Sequence, residues 1–350
     1  MESPGISLEE LQLAARNHGL PLEALRWPIT PVGLHYLLIH FDVPLVDADD
    51  WHLSVRGERE FSLGLDELRT GPVAELAVTM ECAGNGRARL SPRPVSQPWL
   101  LEAVGTARWG GTPLRPLLEE AGLGGAVEVL FTGLDRGFDG GEEQQFQRAL
   151  TVEEALRDEV LLAYEMNGAP LPPQHGFPLR LVVPGWYGMT NVKWLASIEL
   201  LDRPFEGYQQ ASAYRVRQAE DEVGTPLTRM APRSLLVPPG IPDYFTRERS
   251  LAPGECVLEG RAWSGVAPIE YVDVSIDGGS TWAEAELEAA ESRWAWRGWT
   301  YRWDAQPGDY VLCSRARDEA GNEQPLEAPW NLGGYANNAV QTVVVTVAGQ

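Results

Sequence analysis

The chain has 350 residues, enough for two hydrophobic cores. Its 28 Lys and Arg against 50 Asp and Glu give a formal net charge of -22, which repels polyanions and argues against nucleic acid or an anionic membrane as partner. No apolar run nears the roughly 20 residues that span a bilayer, the N-terminus lacks a basic-then-apolar leader, and the three cysteines are an odd, sparse set, so a cytoplasmic protein with free thiols is expected.

Ser7-Leu8-Glu9-Glu10 has capping-box spacing ahead of apolar Leu8, Leu11 and Ala15, and Gly19 with Pro21 stops this helix. Trp51, Leu53 and Val55 alternate as a strand into Gly57. The apolar run Leu76 to Met80 then delivers Cys82 into a turn punctuated by Gly84 and Gly86 and ending in Arg87. A thiol beside a guanidinium is favoured as thiolate, the form that ligates soft metals or attacks electrophiles. The competing reading is a buried, inert cysteine. Leu114 to Gly122 reads as a short helix with a glycine stop, while Val127 to Phe131 and Leu179 to Val183 read as strands that run into Gly- or Pro-containing loops. The first two-thirds is thus α+β.

The proline-dense segment from Met230 to Pro242 changes the texture of the chain, and the expected domains are 1–233 and 234–350. Beyond it the pattern is all β. Tyr271 to Ile276, the turn Asp277-Gly278-Gly279-Ser280 and Thr281-Trp282 form a hairpin signature. Trp294 and Trp296, then Trp299, Tyr301 and Trp303, keep a period of two but switch parity across Arg297-Gly298, as a β-bulge in one strand would require. Short strands at this spacing suggest a sandwich that also holds Cys256 and Cys313.

Several of these segments together resemble the sulfite oxidase family of molybdopterin-dependent oxidoreductases, over nearly the whole chain from about Pro31 to Val347. The segments are Cys82-Ala83-Gly84-Asn85, Thr106 to Gly111, Leu162 to Gly168, His175 to Arg180, and Val192-Lys193-Trp194. In the last domain they are Ala262 to Gly265, Asp277 to Trp282 and Trp330-Asn331-Leu332. The resemblance implies a bacterial, heme-free member with an immunoglobulin-like dimerisation domain. It implies Cys82 as ligand to molybdenum, and Tyr36, His40, Asp135, His175, Arg180, Asn191 and Lys193 as contacts to the pterin, whose phosphate and fused ring require cations and hydrogen-bonding edges. Arg87, Trp99 and Tyr214 stand where the family lines its substrate pocket: a cation for an oxyanion, an aromatic wall and a hydrogen-bonding phenol.

Two departures bear on substrate. Where sulfite-oxidising members carry Arg-Asn-His, the register here falls on Leu38-Ile39-His40, and an arginine expected after Trp-Asn-Leu is Gly333. Arg16-Asn17-His18 reproduces the tripeptide, but inside the N-terminal helix, and is read as coincidence. Asn337-Asn338 is similar to the assimilatory nitrate reductases of the superfamily. The expected function is two-electron oxygen-atom transfer, with sulfite the first substrate. The alternatives are reduction of another oxyanion or of an S- or N-oxide, a non-catalytic ligand-binding protein, and a thiol hydrolase built on Cys82 and His175. Expected partners are a small oxyanion, a separate electron carrier, since no heme or flavin segment is expected, and a second copy of the chain.

Overall fold

The computed structural model describes residues 5–349, so the ends of the two expected domains, 1–4 and 350, lie outside the described residues. The helix Leu8–Arg16 starts as its sequence dictates, with the Ser7 hydroxyl accepting from the Glu10 amide and the Glu10 carboxylate accepting from the Ser7 amide. Glu10 is itself buried and ion-paired with Arg93, which pins the helix to the loop that follows the Cys82 turn. Beyond the helix the buried Asn17 donates to Gln97 at 2.9 Å and accepts from the Ile39 amide at 2.7 Å.

Strands dominate the rest, and the other helices are short, Leu65–Arg69, Arg115–Ala121 and Val152–Ala155. One five-stranded sheet runs in the order Glu60–Gly64, His52–Arg56, Leu195–Leu201, Glu128–Asp139 and Glu142–Thr151. Its last hairpin slips register between Thr132 and Arg136, and such an irregularity re-aims side chains, here Asp135. A second sheet joins Ala74–Glu81, Val104–Pro113 and Leu161–Met166, with Arg180–Val182 on its edge. Ala74–Glu81 is buried along its second half because both faces of that sheet are covered, so it reads as a continuous apolar run rather than an alternating one. It ends at Cys82.

From Arg233 onward two sheets face each other. Arg233–Leu236, Gly254–Trp263, Arg297–Ala305 and Glu286–Leu287 form one; Gln341–Val347, Gly308–Asp318 and Ile269–Ser275 are the centre of the other. Leu258, Val272, Trp299, Trp303, Leu312 and Val345 fill the space between them. The hairpin at Asp277 is present, pairing Asp273 with Glu284. The bulge expected at Arg297-Gly298 is not: the strand Arg297–Ala305 pairs with its neighbour in unbroken register. Parity switches there because Trp294 and Trp296 lie before the strand. Trp296 packs into the larger hydrophobic core, with Leu25, Leu53 and Trp263, and donates its indole N–H to the Pro28 carbonyl at 2.7 Å. Among the described residues, no helix is long and apolar enough to cross a membrane.

A buried carboxylate joins the two parts of the molecule. Glu81, 3% exposed, accepts from Arg233 at 2.5 Å, from the Trp263 indole at 2.9 Å and from the Asn85 amide at 3.0 Å. Arg233 opens the strand Arg233–Leu236, Trp263 closes its partner strand Gly254–Trp263, and Asn85 belongs to the Cys82 turn, so one side chain ties all three. Removing one partner of a buried pair leaves an uncompensated charge, at a cost of about 3–5 kcal/mol. Glu81→Gln is therefore expected to lower Tm by several degrees in a calorimetric scan, and pairing it with Arg233→Met should recover part of the loss; an unchanged Tm in the single variant would contradict this role.

Candidate functional site

The Cys82 turn opens into two adjoining cavities, and Cys82, Leu38, His40 and Tyr214 line both. Two glycines shape the turn. Gly86 takes φ +88°, a left-handed conformation that favours glycine, and a Cβ on Gly84 would lie 2.7 Å from the Arg87 guanidinium. Arg87 can thus fold back over its own loop, donating to the Gly333 carbonyl at 2.8 Å and lying 5.0 Å from the centre of the Tyr335 ring.

Tyr36, His40, Cys82, Asp135, His175, Arg180, Asn191 and Lys193, the residues expected to hold a cofactor, all line the inner cavity. Two cations lie at its base. Arg180 is buried over the Trp109 ring at 4.6 Å, donates only to the carbonyls of His175 and Asn191 and to the Met80 sulfur, and leaves its Nε without a partner. Lys193 donates to the carbonyls of Leu38 at 2.8 Å and Gln174 at 3.2 Å. Trp194, at the unfavourable φ of +48°, turns the chain immediately after it and anchors through its indole to Pro173. Asn191 lines the cavity, but its side chain is spent on the Val183 amide and the Tyr187 carbonyl, so it braces the wall.

Burial sets the charge states here. It pushes His175 down to about 2 and His40 to about 3, so both imidazoles are neutral near pH 7. Burial, helped by Arg180, also lowers Lys193 to about 7, and burial raises Asp135 to about 6. One Asp135 oxygen is buried without a partner. Cys82 corrects the expectation of an eased thiolate: burial outweighs the Arg87 guanidinium and pushes the thiol up.

The outer cavity, about 480 Å³, brings together Arg87, Trp99 and Tyr214, the residues expected around a substrate. The Tyr214 hydroxyl and His40 Nε2 are 2.5 Å apart, and burial raises the phenol well above its ordinary range. Sequence reasoning missed three residues here. Arg148, 2% exposed, lies behind Tyr214 rather than in the cavity lining, 5.6 Å from its ring centre; it donates to the Gln209 carbonyl and has no carboxylate partner among the described residues, and burial lowers it to about 10. Its signal was a charge on the apolar register of Phe146 and Leu150. Tyr335 packs between Arg87 and Tyr214, 5.5 Å from the latter's ring. A Cβ on Gly333 would come within 2.4 Å of that ring, so Tyr335 fills the space an arginine at 333 would need. Arg16, the last residue of its helix, lines the cavity and reaches the His40 carbonyl at 3.4 Å, while Asn17 and His18 lie beyond the helix rather than inside it.

Residues 40–209 match the oxidoreductase molybdopterin binding domain family and residues 234–348 the Mo-co oxidoreductase dimerisation domain family. The chain is 38% identical to sulfite oxidase of Gallus gallus over 334 residues, covering 89% of this chain and 72% of that protein. The chain belongs to the sulfite oxidase family. Mitochondrial sulfite oxidase of Mus musculus is 37% identical over 342 residues, and the chain spans 62% of its length. The structure of the sulfane dehydrogenase SoxCD from Paracoccus pantotrophus superposes with a TM-score of 0.81 at 25% identity, covering 99% of this chain and 93% of that one.

The cofactor of this family is molybdopterin with its molybdenum, and the inner cavity's chemistry fits it. Arg180 and Lys193 are cations without carboxylate partners among the described residues, Arg180 Nε and an Asp135 oxygen await hydrogen bonds, and Cys82 offers one soft sulfur. Among the described residues no group of three or more His, Cys, Asp or Glu could hold a metal, so a metal at Cys82 has to arrive with ligands of its own.

Lys193 carries its charge below about pH 7, and Asp135 loses its own below about pH 6, so both changes favour an anion at lower pH. Cofactor-free protein should bind inorganic pyrophosphate more weakly as pH rises from about 6 to 8.5, and Lys193→Met should flatten that profile. A profile unchanged in Lys193→Met would contradict the assignment of the slope to this amine.

Proposed function

We propose that the chain catalyses two-electron oxygen-atom transfer on a small oxyanion, with sulfite the first substrate to try. The observation that carries this reading is the place of Cys82, whose side chain opens both into a cavity built for an anionic cofactor and into an arginine-lined cavity beside it. Molybdopterin, when bound, supplies a metal that exchanges an oxygen atom and two electrons with substrate.

The chain's own residues have separable tasks. Cys82 holds the metal; Tyr36, His40, Asp135, His175, Arg180 and Lys193 face the pterin, and Asn191 braces its wall. Arg87, 5% exposed and free of carboxylates, binds the oxyanion in a low-dielectric site where its charge acts strongly. Trp99 closes one side and excludes water. Tyr214 stays protonated across the physiological range and offers a hydrogen bond, steadied by neutral His40 and by the Arg148 cation against its ring. A second reading, reduction of another oxyanion or of an S- or N-oxide at the same centre, is favoured by Leu38 and Gly333, since each missing charge-assisted hydrogen bond weakens a compact dianion by about 1.5–3 kcal/mol.

The division into 1–233 and 234–350, with an immunoglobulin-like second unit, belongs to the same reading. So does an isologous homodimer through that unit, where Tyr244 and Phe245 are 80% and 88% exposed at one edge. Electrons leave to a separate carrier, for which the acidic surface selects a basic face.

Purified protein from a molybdenum-replete host should contain about one molybdenum per chain and run as a dimer in light scattering, and Cys82→Ser should abolish sulfite oxidation by a dye acceptor. Metal-free wild-type protein, or full turnover in the variant, would defeat the proposal.

A further inference from the structure

The outer cavity is more cationic, and larger, than a single small oxyanion needs. Among the described residues four arginines line it, Arg16, Arg87, Arg215 and Arg217, against one carboxylate, Asp139, in a chain whose acids outnumber its bases 50 to 28. Arg215 is committed to the Val223 and Gly224 carbonyls. Arg16 and Arg217 make only single long contacts to carbonyls, 3.4 and 3.3 Å, and no carboxylate pairs with either among the described residues.

Depth separates them from Arg87. Arg87 is buried beside Cys82, Arg217 is half-buried and Arg16 is exposed, so the cations mark a floor and a mouth. The mouth is built rather than incidental. The helix bearing Arg16 is fixed by the buried Glu10–Arg93 pair, and the next residue, Asn17, is 5% exposed and bonded to Gln97 and Ile39. The strand Arg215–Val216 is held by Thr225–Pro226, and the Arg217 carbonyl accepts from Leu332. A four-atom oxyanion displaces only two or three waters of about 30 Å³ each, so most of the 480 Å³ lies beyond what sulfite would fill.

We propose that Arg16 and Arg217 form a second anion subsite at the mouth, which takes the distal charge of an elongated dianion whose sulfur-oxyanion end rests on Arg87. The inference rests on the oxygen-transfer reading above and names its substrate class: a sulfur oxyanion extended by a short chain that ends in a second negative group. Leu13 and Phe41 offer that chain apolar wall.

The probes are propane-1-sulfonate and propane-1,3-disulfonate, titrated calorimetrically into the cofactor-loaded protein at about 0.15 M ionic strength. The disulfonate should bind about fivefold tighter, the worth of a pair at a partly solvated mouth. That preference should fall to near unity in Arg16→Gln and in Arg217→Gln, survive in part in Arg16→Lys, and persist in Arg302→Gln, which removes the same charge at a side chain 76% exposed and paired with Glu255. Equal binding of the two probes by wild-type protein, or an undiminished preference in both glutamine variants, would overturn the subsite. Sulfite turnover with a dye acceptor, measured on the same preparation, reports the parent reading separately. A preparation that is active but indifferent between the probes refutes only the subsite, and one that is inactive yet selective refutes only the activity.

Discussion

The structure depends on a charge that has no business in a core unless it is fully answered. Glu81 lies between two sheets, one residue before Cys82, and its two oxygens take three donors drawn from two parts of the molecule. A buried carboxylate satisfied in this way is directional, whereas apolar packing alone is not. Arg233 and Trp263 face each other on the paired strands Arg233–Leu236 and Gly254–Trp263, so that sheet fixes the entry to the Cys82 turn. Asn85 extends the restraint by bonding Leu101 and Ala103, which holds the turn closed on its far side.

Around that turn the chain keeps basic side chains without ion-paired carboxylates in a molecule that is otherwise strongly acidic. Arg87, Arg148, Arg180 and Lys193 are buried or nearly so, and none is within ion-pairing distance of a carboxylate among the described residues. Burial of unpaired charge is destabilising, and it is retained where an anion restores the balance. Arg180 and Lys193 line the inner cavity, Arg87 lines the outer one, and Arg148 lies against the Tyr214 ring. Neutral His40, His175 and Tyr214 supply hydrogen bonds between the two without adding charge of either sign.

Much of this was legible in the sequence, and what was not has identifiable causes. The capping box at Ser7, the glycine stop at Gly122 and the hairpin at Asp277 are local signals, and local signals survive into the fold. The site residues could be named because they sit in short loops whose order the family resemblance preserves. Failures came where distant segments meet. Trp294 and Trp296 continue a period of two by sequence, yet their neighbours are Thr79 and Pro28 rather than a strand partner. Arg16 looked like a helix residue with no target, because nothing local says that Asn17 will pair with Ile39 and carry it to the cavity. Gly333 reads as a lost arginine in one dimension and as room for Tyr335 in three.

Every part of this account converges on the sulfur of Cys82, placed by the Glu81 network at the junction of two cavities. Molybdenum K-edge X-ray absorption on the purified protein measures that sulfur's role directly, since it counts sulfur neighbours of the metal. The account predicts a sulfur shell that loses one scatterer when Cys82→Ser is compared with wild type. An identical shell in the two proteins would contradict it.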